Sequence, residues 1–167
     1  VSVFYIFHEM QYLNLFLIFF SSMIYRDLKP DNVGFNAQGA IKLFDLGLAK
    51  ELLDDQKVKE DEFILSLAGT GRYMAPGVWS GKPYGLPADI FSFTLLFWQM
   101  LHQDTPYKGL NATQHRRSLL MWKTRPNISK KIPRAVKKIV KKGWEHRPKK
   151  RLRMREIERR LHEYLHE

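Results

Sequence analysis

From Leu86 to Leu101 the apolar positions leave no face of a helix free. Ile90, Phe91, Phe93, Leu95, Leu96, Phe97, Trp98, Met100 and Leu101 point in every direction. A helix that is hydrophobic all round has to be buried all round, so in a chain of 167 residues it is expected to be a central pillar. Pro83 and Pro87 lie just before or at its start, where proline is tolerated. Two later segments show the narrower stripe of half-buried helices. Ile132, Val136, Ile139 and Val140 form one stripe, with Lys137, Lys138, Lys141 and Lys142 on the opposite side; Met154, Ile157, Leu161 and Leu165 form another. Upstream, the pattern predicts an apolar helix over about 5–20, a loop over 21–32, and strands at Val33–Phe35 and Ile41–Phe44 joined around Gly39. Between 45 and 75 no period is visible. So long an irregular stretch in a small domain points to a functional loop.

Composition narrows the classes of function. The chain contains no cysteine, which removes disulfides, thiolate metal sites and thiol nucleophiles together. A cytoplasmic location is the default expectation. The run FYIFHEMQYLNLFLIFF is interrupted by His8, Glu9, Gln11 and Asn14, and its clean apolar piece, 15–20, is far short of the roughly 20 residues of a spanning helix. No membrane span is expected. Net charge is +11, and between Lys123 and Arg160 seventeen Lys or Arg face three Glu. Because the aromatics fall on core faces rather than among the basic residues, this charge reads as solvated helix surface, and no nucleic-acid partner is expected. His162-Glu-Tyr-Leu-His166 matches the zinc-protease signature H-E-x-x-H. Tyr164 and Leu165 continue the apolar stripe of that helix, which leaves both histidines on or near its outer surface, and no third ligand follows.

The chemistry concentrates in YRDLKPDN, Tyr25 to Asn32. Asp27 is a carboxylate able to accept a proton from a hydroxyl. Lys29 can neutralise negative charge developing on a transferred group. Asn32 offers an amide oxygen, a hard ligand suited to Mg²⁺, and Pro30 stiffens the spacing between them. In LFDLG, Asp45 directly follows a strand and precedes Gly47, supplying a second hard ligand at a turn. A carboxylate base, a lysine and two oxygen ligands are what phosphoryl transfer asks of a protein.

Four segments, YRDLKPDN, DLGLAK, GTGRYMAP and ADIFSF, resemble in order and spacing the C-terminal lobe of the eukaryotic protein kinases, and the likeness runs from about residue 10 to the end. The wording Leu-Lys-Pro-Asp-Asn resembles the serine/threonine type. The resemblance implies a mainly helical α+β lobe in which a short β-hairpin carries the active-site loops. It further implies a single partial kinase domain over 1–167 that transfers the γ-phosphate of ATP to a hydroxyl of a protein substrate, with Mg²⁺. Asp27 would be the base, Lys29 the γ-phosphate contact, and Asn32 and Asp45 the Mg²⁺ ligands. Arg26 would pair with a phosphorylated residue of the activation loop, for which Ser66 is the first candidate and Thr70 the second. Thr70 would line the substrate site and hydrogen-bond Asp27 and Lys29. Asp89 would hold the backbone of the Tyr25–Arg26 turn. The alternative reading is a pseudokinase or interaction module that uses the helical lobe and its basic surface; neither reading fixes an oligomeric state.

The chain departs from the family pattern in several places. Tyr25 stands where histidine is usual and Leu46 where phenylalanine is usual. Gly34 replaces a bulky apolar residue at the floor of the adenine pocket, so weaker nucleotide packing is expected. The piece LFLIFFSS, 15–22, looks like surplus length. The Gly-rich loop, strand lysine and helical glutamate of the N-terminal lobe do not occur, so the chain reads as a fragment with little activity alone. Gly77 follows Ala-Pro where the family has a glutamate that pairs, buried, with the arginine matching Arg151. Removing one half of a buried pair costs about 3–5 kcal/mol, less if the arginine swings to solvent. Gly77→Glu is therefore expected to raise the melting temperature, and an unchanged or lower value refutes the missing-pair reading.

Overall fold

A computed structural model describes residues 23–166; the apolar segment 5–20 and the surplus 15–22 lie outside them. In chain order the strands are β1 (Met23–Ile24), β2 (Val33–Phe35), β3 (Ile41–Leu43), β4 (Lys50–Glu51), β5 (Lys57–Lys59) and β6 (Glu62–Phe63). The helices that follow are α1 (Pro76–Trp79), α2 (Pro87–His102), α3 (Ala112–Leu120), α4 (Arg134–Gly143) and α5 (Met154–His166). The strands form three separate antiparallel pairs, β1 with β4, β2 with β3, and β5 with β6. The hairpin β2–β3 has the predicted boundaries to within a residue, with Gly34 opposite Lys42.

The segment 45–75 is less irregular than its sequence suggests. It contains β4, β5, β6 and three short 3-10 turns. Strands of two or three residues carry no readable period, and β4 finds its partner β1 at Met23↔Glu51 across almost thirty residues of chain.

The pillar is α2. Every residue from Ala88 to Trp98 is buried, and Pro87 occupies its first turn. On it packs α4, through Val136, Ile139 and Val140, and on α4 in turn packs α5, through Ile157 and Leu161. Full burial of each such aliphatic side chain contributes about 1.5–3 kcal/mol. Lys138, Lys141 and Lys142 are exposed, as the stripe predicts, while Lys137 is half-buried and donates to the Lys130 carbonyl. His162 and His166 are both exposed on the outside of α5, and no cluster of three potential metal ligands occurs among the described residues. No helix among the described residues is long and apolar enough to cross a membrane.

Two charged side chains are buried against the pillar, one on it and one reaching its first turn from outside. Asp89 is 1% exposed and grips the Tyr25–Arg26 turn: its Oδ2 accepts from the Tyr25 amide at 2.7 Å and its Oδ1 from the Arg26 amide at 2.9 Å. Burial pushes the Asp89 carboxyl up to about 6, against the downward pull of those two bonds. Arg151 is 8% exposed and has not swung to solvent. Nε donates to the Glu145 carbonyl (2.8 Å), Nη1 to Pro87 (2.6 Å) and Nη2 to His146 (3.2 Å), with the guanidinium 5.1 Å from the centre of the Phe91 ring. Three carbonyl dipoles and an aromatic face thus replace the carboxylate the family pattern would supply. Burial, reinforced by neighbouring Arg125, still lowers its pKa to about 9. A Cβ added at Gly77 would meet nothing within 4 Å, so a longer side chain can enter there.

Asp89→Asn is expected to cost about 1–3 kcal/mol, because the amide turns one acceptor into a donor facing a buried N–H. Chemical denaturation checks this; a midpoint equal to the unsubstituted chain would show that the turn does not depend on the carboxylate.

Candidate active site

The Tyr25–Asn32 segment leaves β1, bends at Arg26 with φ +71°, and closes in a 3-10 turn at Pro30–Asn32. A left-handed φ on a non-glycine residue costs on the order of 1–3 kcal/mol, and here the Asp89 bond to the Arg26 amide holds it in place. The bend brings the Arg26 carbonyl against Gly69. A Cβ at Gly69, whose φ is +111°, would stand 2.2 Å from that oxygen. Only glycine lets the downstream loop come this close to the 25–32 segment.

That approach brings four of the predicted residues together. Asp27 Oδ1 accepts from the Thr70 amide at 2.7 Å and from the Thr70 hydroxyl at 2.6 Å. Its Oδ2 accepts from Lys29 Nζ at 2.9 Å and from Asn32 Nδ2 at 3.0 Å. Lys29 Nζ also donates to Thr70 Oγ1 at 3.0 Å. Burial alone would push the Asp27 carboxyl up; the bonds from Lys29 and from the hydroxyl and amide of Thr70 outweigh it and hold it below its ordinary range. The bond to Asp27 raises the lysine pKa in turn, against a smaller effect of burial.

Asn32 is buried, and Nδ2 also donates to the Asp27 carbonyl at 2.9 Å, so the amide oxygen is the atom left to meet a hard cation. Asp45 follows β3 in the left-handed region, φ +55°, and its Oδ1 accepts from the Gly47 amide at 3.1 Å. Burial is the main cause that pushes the Tyr25 hydroxyl up, and the Asp45 charge adds a smaller upward push there and at Lys29, whose shift is set first by its bond to Asp27. Asn32 and Asp45 are thus two hard oxygen donors beside a lysine, a set that fits Mg²⁺, which keeps several waters and phosphate oxygens of its own. Arg26 lies outside this cluster. Its Nε donates to the Leu48 carbonyl at 2.6 Å and its Nη1 to Ser66 Oγ at 3.2 Å. Thr70, with its hydroxyl taken by Asp27, is the less available of the two candidate hydroxyls.

The loop 68–81 is fastened to the helices. Ser92 donates to the Tyr73 carbonyl (2.8 Å), Tyr73 to Gln99 (2.6 Å) and Trp79 Nε1 to the Gly71 carbonyl (2.9 Å). Tyr84 pairs with Phe63 and donates through its hydroxyl to the Ser66 carbonyl at 2.6 Å, fixing the residue opposite Arg26. Sequence reading missed Tyr84 and also Phe44. Phe44 fills the space beside Gly34: a Cβ at residue 34 would lie 2.6 Å from the Phe44 ring. The signal available for Phe44 was the glycine in the middle of a strand, which marks a close approach.

Against this geometry, comparison with known proteins gives one family. The protein kinase domain family matches residues 10–165, and the chain belongs to that family. It is 33% identical over 139 residues to the dual specificity protein kinase shkB of Dictyostelium discoideum, covering 82% of this chain and 21% of that protein. It is 32% identical over 147 residues to serine/threonine-protein kinase 12 of Arabidopsis thaliana, 86% of this chain and 31% of that protein. It is 33% identical over 153 residues to mitogen-activated protein kinase kinase kinase 13-B of Xenopus laevis, 89% of this chain and 14% of that protein. The chain therefore spans less than a third of the length of each of these relatives.

Asp27, held below its unfolded value of about 3.9, contributes stability that is present above that pH and is lost as pH falls through the lowered folded value. Lys29→Met is expected to raise the folded value and shrink that acid-dependent contribution. The carboxyl-carbon NMR titration of Asp27 reads this directly, and an unmoved midpoint would mean that Thr70 and Asn32 hold the carboxylate without the lysine.

Proposed function

We propose that the chain is the C-terminal lobe of a serine/threonine protein kinase domain and works in transfer of the γ-phosphate of ATP to a hydroxyl of a protein substrate. The observation that carries this reading is the Asp27 carboxylate, buried and charged, bridged to Lys29 and backed by Asn32. A carboxylate held ionised beside a cation can orient a substrate hydroxyl and accept its proton, while the lysine offsets charge on the phosphoryl oxygens. Asn32 and Asp45 would hold Mg²⁺. When bound, the ion supplies charge neutralisation at the phosphates.

Arg26 and Ser66 add regulation to the same reading. At 3.2 Å the guanidinium already contacts the serine hydroxyl, so a phosphate there would make charge-assisted bonds with it and fix the loop. The Gly-rich loop and strand lysine that complete the nucleotide site in this family are not among the 167 residues, so turnover by this chain alone is not expected. The exposed Phe35, Leu46 and Leu53 favour a second reading, in which the lobe serves as a binding module without turnover.

In the full-length protein, Asp27→Asn is expected to lower phosphorylation of a generic basic protein substrate by about 10²–10⁴-fold, the range of general-base contributions. Undiminished activity in that variant would sink the assignment of Asp27, and no activity in the unsubstituted protein would favour the binding-module reading.

A further inference from the structure

We propose that Met121 and Trp122, with the basic residues around them, form a docking surface for an anionic membrane, a role beyond phosphoryl transfer. Helix α3 buries His115, Ser118 and Leu119 and then ends. The next two large apolar side chains face water: Met121 is 66% exposed and Trp122 65%. The backbone holds them there. The Met121 amide donates to the Arg117 carbonyl at 2.9 Å, Lys123 takes a left-handed φ of +52°, and the Thr124 amide returns to the Ser118 carbonyl at 3.1 Å. Such a φ is uncommon outside glycine, and here it shapes a turn whose tip is methionine and tryptophan. The returning chain is tied down directly after the tip. The Thr124 carbonyl accepts from Arg125 Nη1 at 2.8 Å and from the Tyr107 hydroxyl at 3.2 Å, and Arg125 Nε donates to the Trp144 carbonyl at 2.9 Å.

Cations surround the tip. Lys123 is part of it, and the Arg117 guanidinium lies 5.3 Å from the centre of the Trp122 ring. Burial lowers the His146 pKa, and the charges of Arg125, Lys123, Arg151 and Lys82 lower it further, so the tip lies close to the segment that contains His146. The turn that follows carries Arg147, Lys149 and Lys150, all exposed. Glu145 is the one carboxylate between Asp104 and Glu156, and it acts on Arg125 and Arg151. The lysines of this surface therefore face solvent without an acidic counterpart in that stretch.

This composition favours lipid over protein. The cores of protein–protein interfaces are depleted in lysine, whereas a flexible lysine suits phosphates spread over a plane. Tryptophan concentrates at the boundary between water and acyl chains, where its ring is apolar and its N–H stays wet. Single-stranded nucleic acid calls for aromatic faces in succession, and the tip offers one. Two protruding apolar side chains among cations combine shallow insertion with attraction to anionic headgroups.

Flotation of the whole chain with vesicles of phosphatidylserine and phosphatidylcholine in equal parts is expected to recover it bound, and vesicles of phosphatidylcholine alone are expected to leave it free. Trp122→Ala should weaken the partition about tenfold, and Lys149→Glu combined with Lys150→Glu at least as much. Trp122→Phe should lose less than Trp122→Ala. Because these side chains are exposed, all the variants should keep the melting temperature of the unsubstituted chain, which separates lost docking from lost folding. The proposal is overturned if the chain ignores phosphatidylserine, or if Trp122→Ala binds as tightly as the unsubstituted chain, since adhesion would then be charge alone. Capture of the chain by polyglutamate or a single-stranded oligonucleotide, with no binding to the vesicles, would assign the surface to that partner and overturn it equally.

Discussion

One buried carboxylate organises the active region. Asp89 sits in the first turn of the pillar helix and reaches the amides of Tyr25 and Arg26, sixty-odd residues away in sequence. Those two bonds fix a left-handed turn at Arg26 that the residue would not otherwise adopt. The turn sets the direction of the chain into Asp27 and presents the Arg26 carbonyl to Gly69, so it also decides how near Thr70 can come. The most buried helix among the described residues thus positions the Tyr25–Asn32 segment through two hydrogen bonds. Packing supplies the rigidity, since every residue of that helix from Ala88 to Trp98 is buried.

Much of this was legible in the sequence, and the reasons differ by element. The pillar was readable because a helix that is apolar on all sides has only one kind of home. The stripes of α4 and α5 were readable because charged residues and aliphatics alternate with a 3.6-residue period. The contacts of Thr70 with Asp27 and Lys29 were expected from the family resemblance, and the geometry brings those side chains within hydrogen-bonding distance; the Asn32 bond to Asp27 was not anticipated. The two-residue ladder of β1 with β4 was not readable, since its pairing is set by where the intervening chain returns rather than by any local pattern. Phe44 was signalled only indirectly, by the glycine inside the neighbouring strand, because an apolar residue at a strand end looks the same whether its ring faces the core or lies out over a glycine.

Arg151 shows a different limit. The sequence indicates a buried cation and a missing carboxylate, and the natural inference is an arginine that retreats to water. Instead the guanidinium stays and is satisfied by the carbonyls of Pro87, Glu145 and His146. Carbonyl cages are backbone features, and no residue type announces them. The charge remains costly to bury, which is why its pKa is low for an arginine. In this chain the backbone carbonyls satisfy the guanidinium without a charged partner.

The Thr70 contacts carry a further consequence for Asp27. A carboxylate offers about four lone-pair positions. Here the Thr70 amide and hydroxyl, Lys29 and Asn32 supply four donors. The carboxylate is saturated, so any new hydroxyl must arrive by exchange rather than by addition. Of the four, the threonine hydroxyl is the one that can rotate away while its own amide keeps the anchor. Entry to the site is in this sense a substitution reaction among hydrogen bonds, with Thr70 as the leaving group.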